Sequence, residues 1–425
     1  MQSVFGLHDR NRFRVFCYAL TPSDDSPYRA KIEREADVFV DCSGWQVSAI
    51  VDRIARIDGI HVLCNLNGYT KGGRNEIFAA RAAPVQMAFM GFAGTMGAGP
   101  IACPRRFVCG EPLPASHLEP TSASPSSSTT RGPIHPTDDR NRIYTEGLIY
   151  MPHTYFANDH RQGFREKPDE EVDGIDELTG EERVRWRREQ VRRLKMRAEV
   201  FPWMGEETVI YANFNQLYKV DPEIFATWVN IIKRVPNSIL WLLRFPPAGE
   251  AHLRRKAREL VGEEVARRLV FTDVAPKHLH IHRGRIADVF LDTPECNAHT
   301  TAADILWSGS PIITYPKHDF KMCSRVAASI AYATGSWPES DNRNLPTRVT
   351  AAPTLPPSQR PSPTTPPFHP SRHSPTHILV PSTLTATAPA LRRRLFLTRD
   401  QIPLFDTPRW VRNLEAGMAL AWTDW

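Results

Sequence analysis

From residue 209 onward, apolar and polar positions alternate in blocks. "VIYANF" (209–214), "SILWLLRF" (238–245), "LVFTDV" (269–274), "IADVFLDT" (286–293) and "PIITYP" (311–316) are short, nearly continuous apolar runs. That pattern predicts strands buried on both faces. Helical stretches lie between them. In "DPEIFATWVNIIKRV" one face carries Ile224, Trp228, Ile231, Ile232 and Val235, with Asp221 as N-cap and Pro222 at the first helical position. "EAHLRRKARELVGEEVARR" reads as a charged helix, "HTT" opens another, and "KMCSRVAASIA" forms a further one. Such strands alternating with helices predict a parallel, doubly wound α/β sheet. The N-terminal hundred residues show the pattern again, with strands "FRVFCYAL" (13–20) and "HVLCNL" (61–66) around the amphipathic "VSAIVDRIARI". Residues 67–98 then predict a glycine-rich basic loop, a helix, a short strand and a second glycine-rich loop, "GFAGTMG".

Composition changes this picture in one respect. The 37 prolines concentrate in 111–136 and 338–390, where Ser and Thr abound and apolar periodicity is lost. Such segments bury too little surface to offset the entropy of ordering, so both are expected to be disordered. The expected organisation is an N-terminal half (1–110), a disordered insert (111–140), a connecting helical segment (141–200), a C-terminal Rossmann-like half (201–337), a disordered tract (338–392) and a helical tail (393–425). Hydrophobic residues at 41% and charged residues at 24% suit a soluble globular chain. The net charge of +6 owes something to "RVRWRREQVRRLKMR" (183–197), read as a solvated helix face that could touch acidic partners. No nucleic-acid motif accompanies it, and no run approaches the roughly 18 apolar residues of a membrane span. The N-terminus has no signal-peptide core, and seven scattered cysteines point to a reducing compartment, cytosolic or nuclear.

Open parallel sheets bind ligands beyond the carboxyl ends of their strands. "NFNQLYK" (213–219) leaves the first strand of the C-terminal half there, and "CNAHTT" (296–301) leaves the fourth. Gln216, Lys219, His299, Thr300 and Thr301 gathered at a helix N-terminus describe a diphosphate site with no glycine fingerprint. Thr300 reads equally well as a plain N-cap. In "APKHLHIHRG" (275–284), His280 and His282 alternate as metal ligands on a strand can, but no third ligand follows. Cys296 and His299 likewise lack a second pair, so no metal is expected. Lys277, His280 and Arg283 form either a surface loop or a loop that holds a base.

The longest motifs, "DGIHVLCNLNGYTKGGRNEIFAARAAPVQ", "YMPHTYFANDH", "NFNQLYKVDPEIF", "VAPKHLHIHRGRIADVFLDTPECNAHTTAADILWSGSPIITYP" and "LFLTRDQIPLFDTPRWVRNLEAGMALAW", closely resemble the catalytic region of intracellular protein O-GlcNAc transferases, fungal members above all. The resemblance implies a GT-B fold, two Rossmann-like halves with a cleft between, and UDP-GlcNAc held mainly by the C-terminal half. It implies inverting transfer of N-acetylglucosamine to Ser or Thr of intracellular proteins, with no metal or other cofactor. By matching motif, Lys219 and Gln216 contact the pyrophosphate, Lys219 stabilising the leaving group as the catalytic residue. His299, Thr300 and Thr301 bind phosphate. His280 stacks on uracil, Arg283 and the Ala275 backbone hydrogen-bond it, and Lys277 and Asp304 hold the ribose. Cys296 lies near the N-acetyl group, and Met90 and Gly91 line the sugar pocket.

Departures accompany the resemblance. The family's helical repeats, and a glycine-rich segment bearing a histidine, have no counterpart in this sequence. Ala93 stands where the family's "GYPGT" loop has proline, and the proline-rich tracts replace family strands and helices. Translated intron and an upstream exon outside this sequence are the expected explanation. Two other readings follow, a nucleotide-sugar-binding remnant without transferase activity and a GDP-fucose-dependent protein O-fucosyltransferase. "HLHIHRG" and "CNAHTT" resemble the latter less.

Overall fold

A computed structural model describes residues 1–97, 106–110, 146–165, 180–318, 321–335 and 382–423. The insert expected at 111–140, and 338–381 of the second tract, lie outside the described residues. The chain divides into two compact units, one formed by Met1–Lys167, His318–Gly335 and Asp400–Trp425, the other by Pro168–Lys317 and Ser336–Arg399. Residues 318–335, which sequence order attached to the 201–337 half, belong to the first unit.

The first unit carries strands β1 (Phe16–Ala19), β2 (Val38–Asp41), β3 (Val62–Asn65), β4 (Val85–Ala88), β5 (Arg106–Gly110) and β6 (Gly147–Tyr150). β1 pairs in parallel with β2, while β3, β4, β5 and β6 form a separate parallel sheet in that order. Between β1 and β2 runs the helix Pro27–Glu35, whose N-cap Ser26 accepts from the Arg29 amide. Ile50, Ile54, Leu63 and Ile77 form a buried cluster beside β3. The C-terminal helix Thr407–Thr423 buries Trp410, Val411, Leu414 and Met418 in this unit. Its Gly417 sits where a Cβ would meet Ile149 Cγ2 at 2.7 Å, so only glycine lets the helix approach β6 so closely.

The second unit is the doubly wound sheet read from the pattern. β7 (Val209–Asn213), β8 (Ser238–Leu243), β9 (Leu269–Thr272), β10 (Val289–Leu291) and β11 (Ile312–Ile313) are all parallel, in the order β11-β10-β7-β8-β9. Every residue of β8 and β10 is buried, as apolar residues on both faces require. The helix Pro222–Arg234 follows β7, and Asp221 Oδ1 accepts from the amides of Glu223 and Ile224, both at 3.0 Å. Phe225, Trp228, Val229 and Ile232 of this helix pack with Leu240 and Leu242 of β8 in the main core. The strand order reverses between β7 and β10, so their carboxyl ends flank the crevice where such sheets take ligands.

Two expectations need correction. The arginine-rich stretch is a helix, Glu181–Val200, but only part of it is solvated: Arg183, Arg187 and Lys195 are exposed, whereas Glu189 and Arg197 are buried. Glu189 is 2% exposed and meets Arg285 at 3.1 Å, while Arg193 and Arg197 reach Asp288. The Arg197 guanidinium also donates to the Gly205 carbonyl at 3.0 Å. Opposite charges and carbonyls from distant segments therefore replace water around these side chains. The second correction concerns 382–390, expected to be disordered, which belong to the helix Ser382–Thr398. Composition pointed the other way because the apolar anchors Leu391, Leu395 and Phe396 cluster at its C-terminal end, where all three are buried. The buried Arg392 donates to the carbonyls of Arg285 (2.7 Å) and Ala287 and to Ser310 Oγ (3.2 Å). Replacing Arg392 by alanine leaves those buried acceptors without a donor. Stability should fall by about 2–4 kcal/mol, read as a lower chemical-denaturation midpoint. An unchanged midpoint would show that this helix does not dock on the unit.

Candidate functional site

Two loops build the site, one leaving β7 and one leaving β10. At the end of β7, Asn213 Nδ2 donates to the Leu291 carbonyl of β10 at 2.6 Å, locking the two central strands together. The chain then passes Asn215 and Gln216 into a short 3-10 turn, Leu217–Lys219. The Lys219 Nζ donates to the Asn297 carbonyl at 3.2 Å, so the cation of the first loop rests on the second.

The second loop is organised by Asp292, a buried carboxylate at the end of β10. Its Oδ1 accepts from the amides of Thr293 (2.8 Å) and Ala298 (2.7 Å) and from Asn215 Nδ2 (3.1 Å). Its Oδ2 accepts from the Thr314 hydroxyl at 2.7 Å. Thr293 and Asn297 close the turn, the former donating to the Cys296 carbonyl (2.8 Å), the latter to the Thr293 carbonyl (2.7 Å). Burial pushes the Asp292 carboxyl up to about 6, against the four hydrogen bonds that favour its charged form.

This turn delivers the chain to the helix Thr300–Trp307. His299 holds the N-cap position, and no side chain caps the helix. The reading of Thr300 as N-cap is thereby corrected. His299 takes the non-helical dihedrals (φ −102°, ψ −91°), which leaves Thr300 exposed at the first helical position. Thr301 follows half-buried in the same turn. An uncapped N-terminus with two hydroxyls in its first turn presents donors and a partial positive charge to an anion.

Beside it, Lys277–Arg283 is a helix, not the strand on which alternating histidines would converge. His280 and His282, two residues apart on a helix, point to different sides. The His280 ring meets Phe214 edge-on at 5.4 Å, and Phe214 meets Trp241 at 4.6 Å. Burial lowers the His280 pKa and outweighs the opposing pull of Asp304, so the imidazole stays neutral at physiological pH. Arg283 donates to Thr272 Oγ1 (2.8 Å) and the Asp273 carbonyl (3.2 Å) and lies 5.2 Å over Trp241. Desolvation lowers its pKa as well. Ala275 is half-buried just ahead of this helix, and Lys277 is exposed at its start.

The Glycosyl transferase family 41 model matches residues 1–102 and 188–340. The chain belongs to this family. Among proteins similar to it, an Arabidopsis thaliana protein described as a probable UDP-N-acetylglucosamine–peptide N-acetylglucosaminyltransferase is 39% identical over 432 residues, covering 99% of this chain and 35% of its own length. A Caenorhabditis elegans UDP-N-acetylglucosamine–peptide N-acetylglucosaminyltransferase is 34% identical, covering 79% of this chain and 34% of its own. The chain therefore spans about a third of the length of these curated relatives. A solved structure of a mutant Thermobaculum terrenum O-GlcNAc transferase superposes with a TM-score of 0.63 at 18% identity, covering 100% of this chain and 64% of that one. The fold is thus the GT-B fold of family 41.

Within this family 41 chain, Gln216, Lys219, Ala275, Lys277, His280, Arg283, Cys296, His299, Thr300, Thr301 and Asp304 all lie in the second unit. Met90 and Gly91 belong to the first. Met90 has φ +61°, and a Cβ on Gly91 would fall 1.9 Å from the Leu66 carbonyl oxygen, so glycine is obligatory there. Glu146 fixes the same glycine-rich loop, accepting from Thr95 Oγ1 and the Met96 amide, each at 2.7 Å. Neither Glu146 nor Asp292 was singled out from sequence. For Asp292 a signal existed, an aspartate ending an otherwise apolar strand. Replacing Asp292 by alanine strands four donors and should cost about 3–5 kcal/mol, whereas asparagine should cost far less. Because the folded pKa is raised, the carboxyl's contribution is complete below about pH 3.8 and lost as pH rises through about 6. The stability of the wild type relative to Asp292→Asn should therefore fall by on the order of 3 kcal/mol between pH 4 and 7 in denaturation curves. A flat difference would mean that the carboxyl titrates normally.

Proposed function

We propose that this chain binds UDP-N-acetylglucosamine in the second unit and transfers N-acetylglucosamine to serine or threonine hydroxyls of proteins. The juxtaposition of Lys219 with the uncapped Thr300 helix at the β7/β10 switch point carries this reading. A departing nucleoside diphosphate accumulates negative charge, and preorganised positive charge at that point lowers the barrier. Lys219 supplies a full charge, and His299, Thr300, Thr301 and Gln216 add neutral donors around the phosphates. The cluster of Phe214, Trp241 and neutral His280 offers an aromatic edge for the uracil base, beside Arg283, Lys277 and Asp304. The acceptor oxygen bonds to the anomeric carbon from the face opposite UDP as the bond to the β-phosphate oxygen breaks, and the hydroxyl proton is released. The names of the relatives, which act on peptides with UDP-N-acetylglucosamine, support this choice of donor and acceptor.

No metal is needed in this scheme, since the lysine and the helix dipole provide the charge. A cytosolic or nuclear setting fits too. Cys17, Cys42, Cys64, Cys296 and Cys323 are free, and no helix among the described residues is long and apolar enough to cross a membrane.

UDP should raise the thermal midpoint of the purified chain, and GDP should not. A shift with GDP alone would turn the reading toward a guanosine-diphosphate sugar. In a peptide-transfer assay, Lys219→Ala should lower kcat by roughly a hundred- to a thousandfold while UDP still stabilises the variant. EDTA should leave the rate unchanged, and a rate abolished by EDTA and restored by a divalent cation would overturn the metal-free scheme.

A further inference from the structure

The edge that holds the candidate site carries an electrostatic conflict. Asp221 and Glu223 start the helix Pro222–Arg234, the first as its N-cap and the second in its first turn, where a carboxylate suits the helix dipole. Both follow Lys219 within four residues. On the β10 side, Glu295 comes just ahead of Cys296 and Asn297, and the Asn297 carbonyl accepts from Lys219. Local folding thus places three carboxylates at the edge where Lys219 would meet a diphosphate, and like charge repels a polyanion.

Lys317 answers these charges. It lies beyond β11, the strand next to β10, so its segment leaves the sheet on the same side as the other two. Its Nζ lies 2.7 Å from Glu295 Oε1 and 3.6 Å from Glu223 Oε2, bridging the β10 loop and the helix that follows β7. Asp221 acts on it too. Asp221 Oδ1 is occupied by capping, and Oδ2 is buried with no hydrogen-bond partner. The hydrogen bond to Glu295 is the largest influence raising the Lys317 pKa, and the charges of Glu295, Asp221 and Glu223 add to it against burial. The side chains of Lys317 and Glu295 are 27% and 35% exposed, so replacing either should disturb local charge more than the fold.

We propose that Lys317 is a charge-balancing residue of the diphosphate site, neutralising Glu295, Glu223 and Asp221 so that these carboxylates do not oppose the phosphates gathered by Lys219 and the Thr300 helix. The inference rests on the diphosphate reading of that site. A plain brace between two loops behaves differently. If the ion pairs served only to hold the loops, loss of either partner would weaken binding alike. Under charge balance the two partners act in opposite directions, because removing a carboxylate leaves the edge more positive and removing the lysine leaves it more negative.

Calorimetric titration of the purified chain with UDP, at about 50 mM and about 500 mM NaCl, separates the two. At the lower salt, Lys317→Met should weaken UDP binding roughly three- to tenfold, and Glu295→Gln should strengthen it about two- to fivefold. The double variant Lys317→Met/Glu295→Gln should return to within about threefold of the wild type, and Lys317→Arg should bind as the wild type does. All these differences should shrink at the higher salt. Unchanged or weaker binding by Glu295→Gln would overturn the proposal, as would a Lys317→Met variant that binds UDP like the wild type. Should Lys317→Met fail to fold, the sign of the Glu295→Gln change decides alone. A wild-type chain that binds no UDP at either salt would refute the donor site itself, and the inference with it, an outcome distinct from any difference between the variants.

Discussion

Everything at the switch point depends on one buried carboxylate. Asp292 ends β10, and its two oxygens take four hydrogen bonds from the neighbouring loop, from the β7 loop and from Thr314 beyond β11. Without them the turn from Thr293 to Ala298 would expose buried amides, and the Thr300 helix would have no fixed entry. The elevated pKa shows that these bonds only partly offset the desolvation of a fully buried acid. An apolar residue would pack more favourably but could not gather four donors on one point. The site thus holds its geometry at a local cost in stability, the trade expected where a loop must be rigid and polar at once.

Much of this architecture was legible because it is written in short-range patterns. The five apolar runs from 209 to 316 became β7 to β11, and Asp221 and Pro222 began a helix as capping chemistry dictates. Polar clusters at the ends of the first and fourth runs fall on one edge of the sheet because in a parallel sheet every strand ends on the same side. Strand order was the further requirement. Only the β7–β10 adjacency brings Lys219 onto the Asn297 carbonyl.

What sequence reading missed was settled at long range. The arginines of the Glu181–Val200 helix have a solvated pattern, yet their partners Asp288 and Arg285 (through Glu189) lie some 90 residues away. Composition set the start of the Pro-rich tract's last helix too late, since Leu391 and Arg392 find their burial and acceptors only against the second unit's own segments. In "APKHLHIHRG", Pro276 followed by seven residues free of glycine and proline was a helix-start signal, and the alternation of histidines masked it.

The two units show how far a local pattern can carry. "FRVFCYAL" and "VIYANF" look alike as sequence, both short and both rich in β-branched and aromatic residues. Yet β7 is buried from its second residue to its last, and β1 nowhere reaches full burial. The difference lies in lateral pairing: among the described residues β7 has a strand on each side, and β1 has one only on the side of β2. Apolar character states that a strand can be central in a parallel sheet. Whether it is central depends on neighbours that no window of sequence contains, because parallel pairing is always made through a crossover and never through a tight turn.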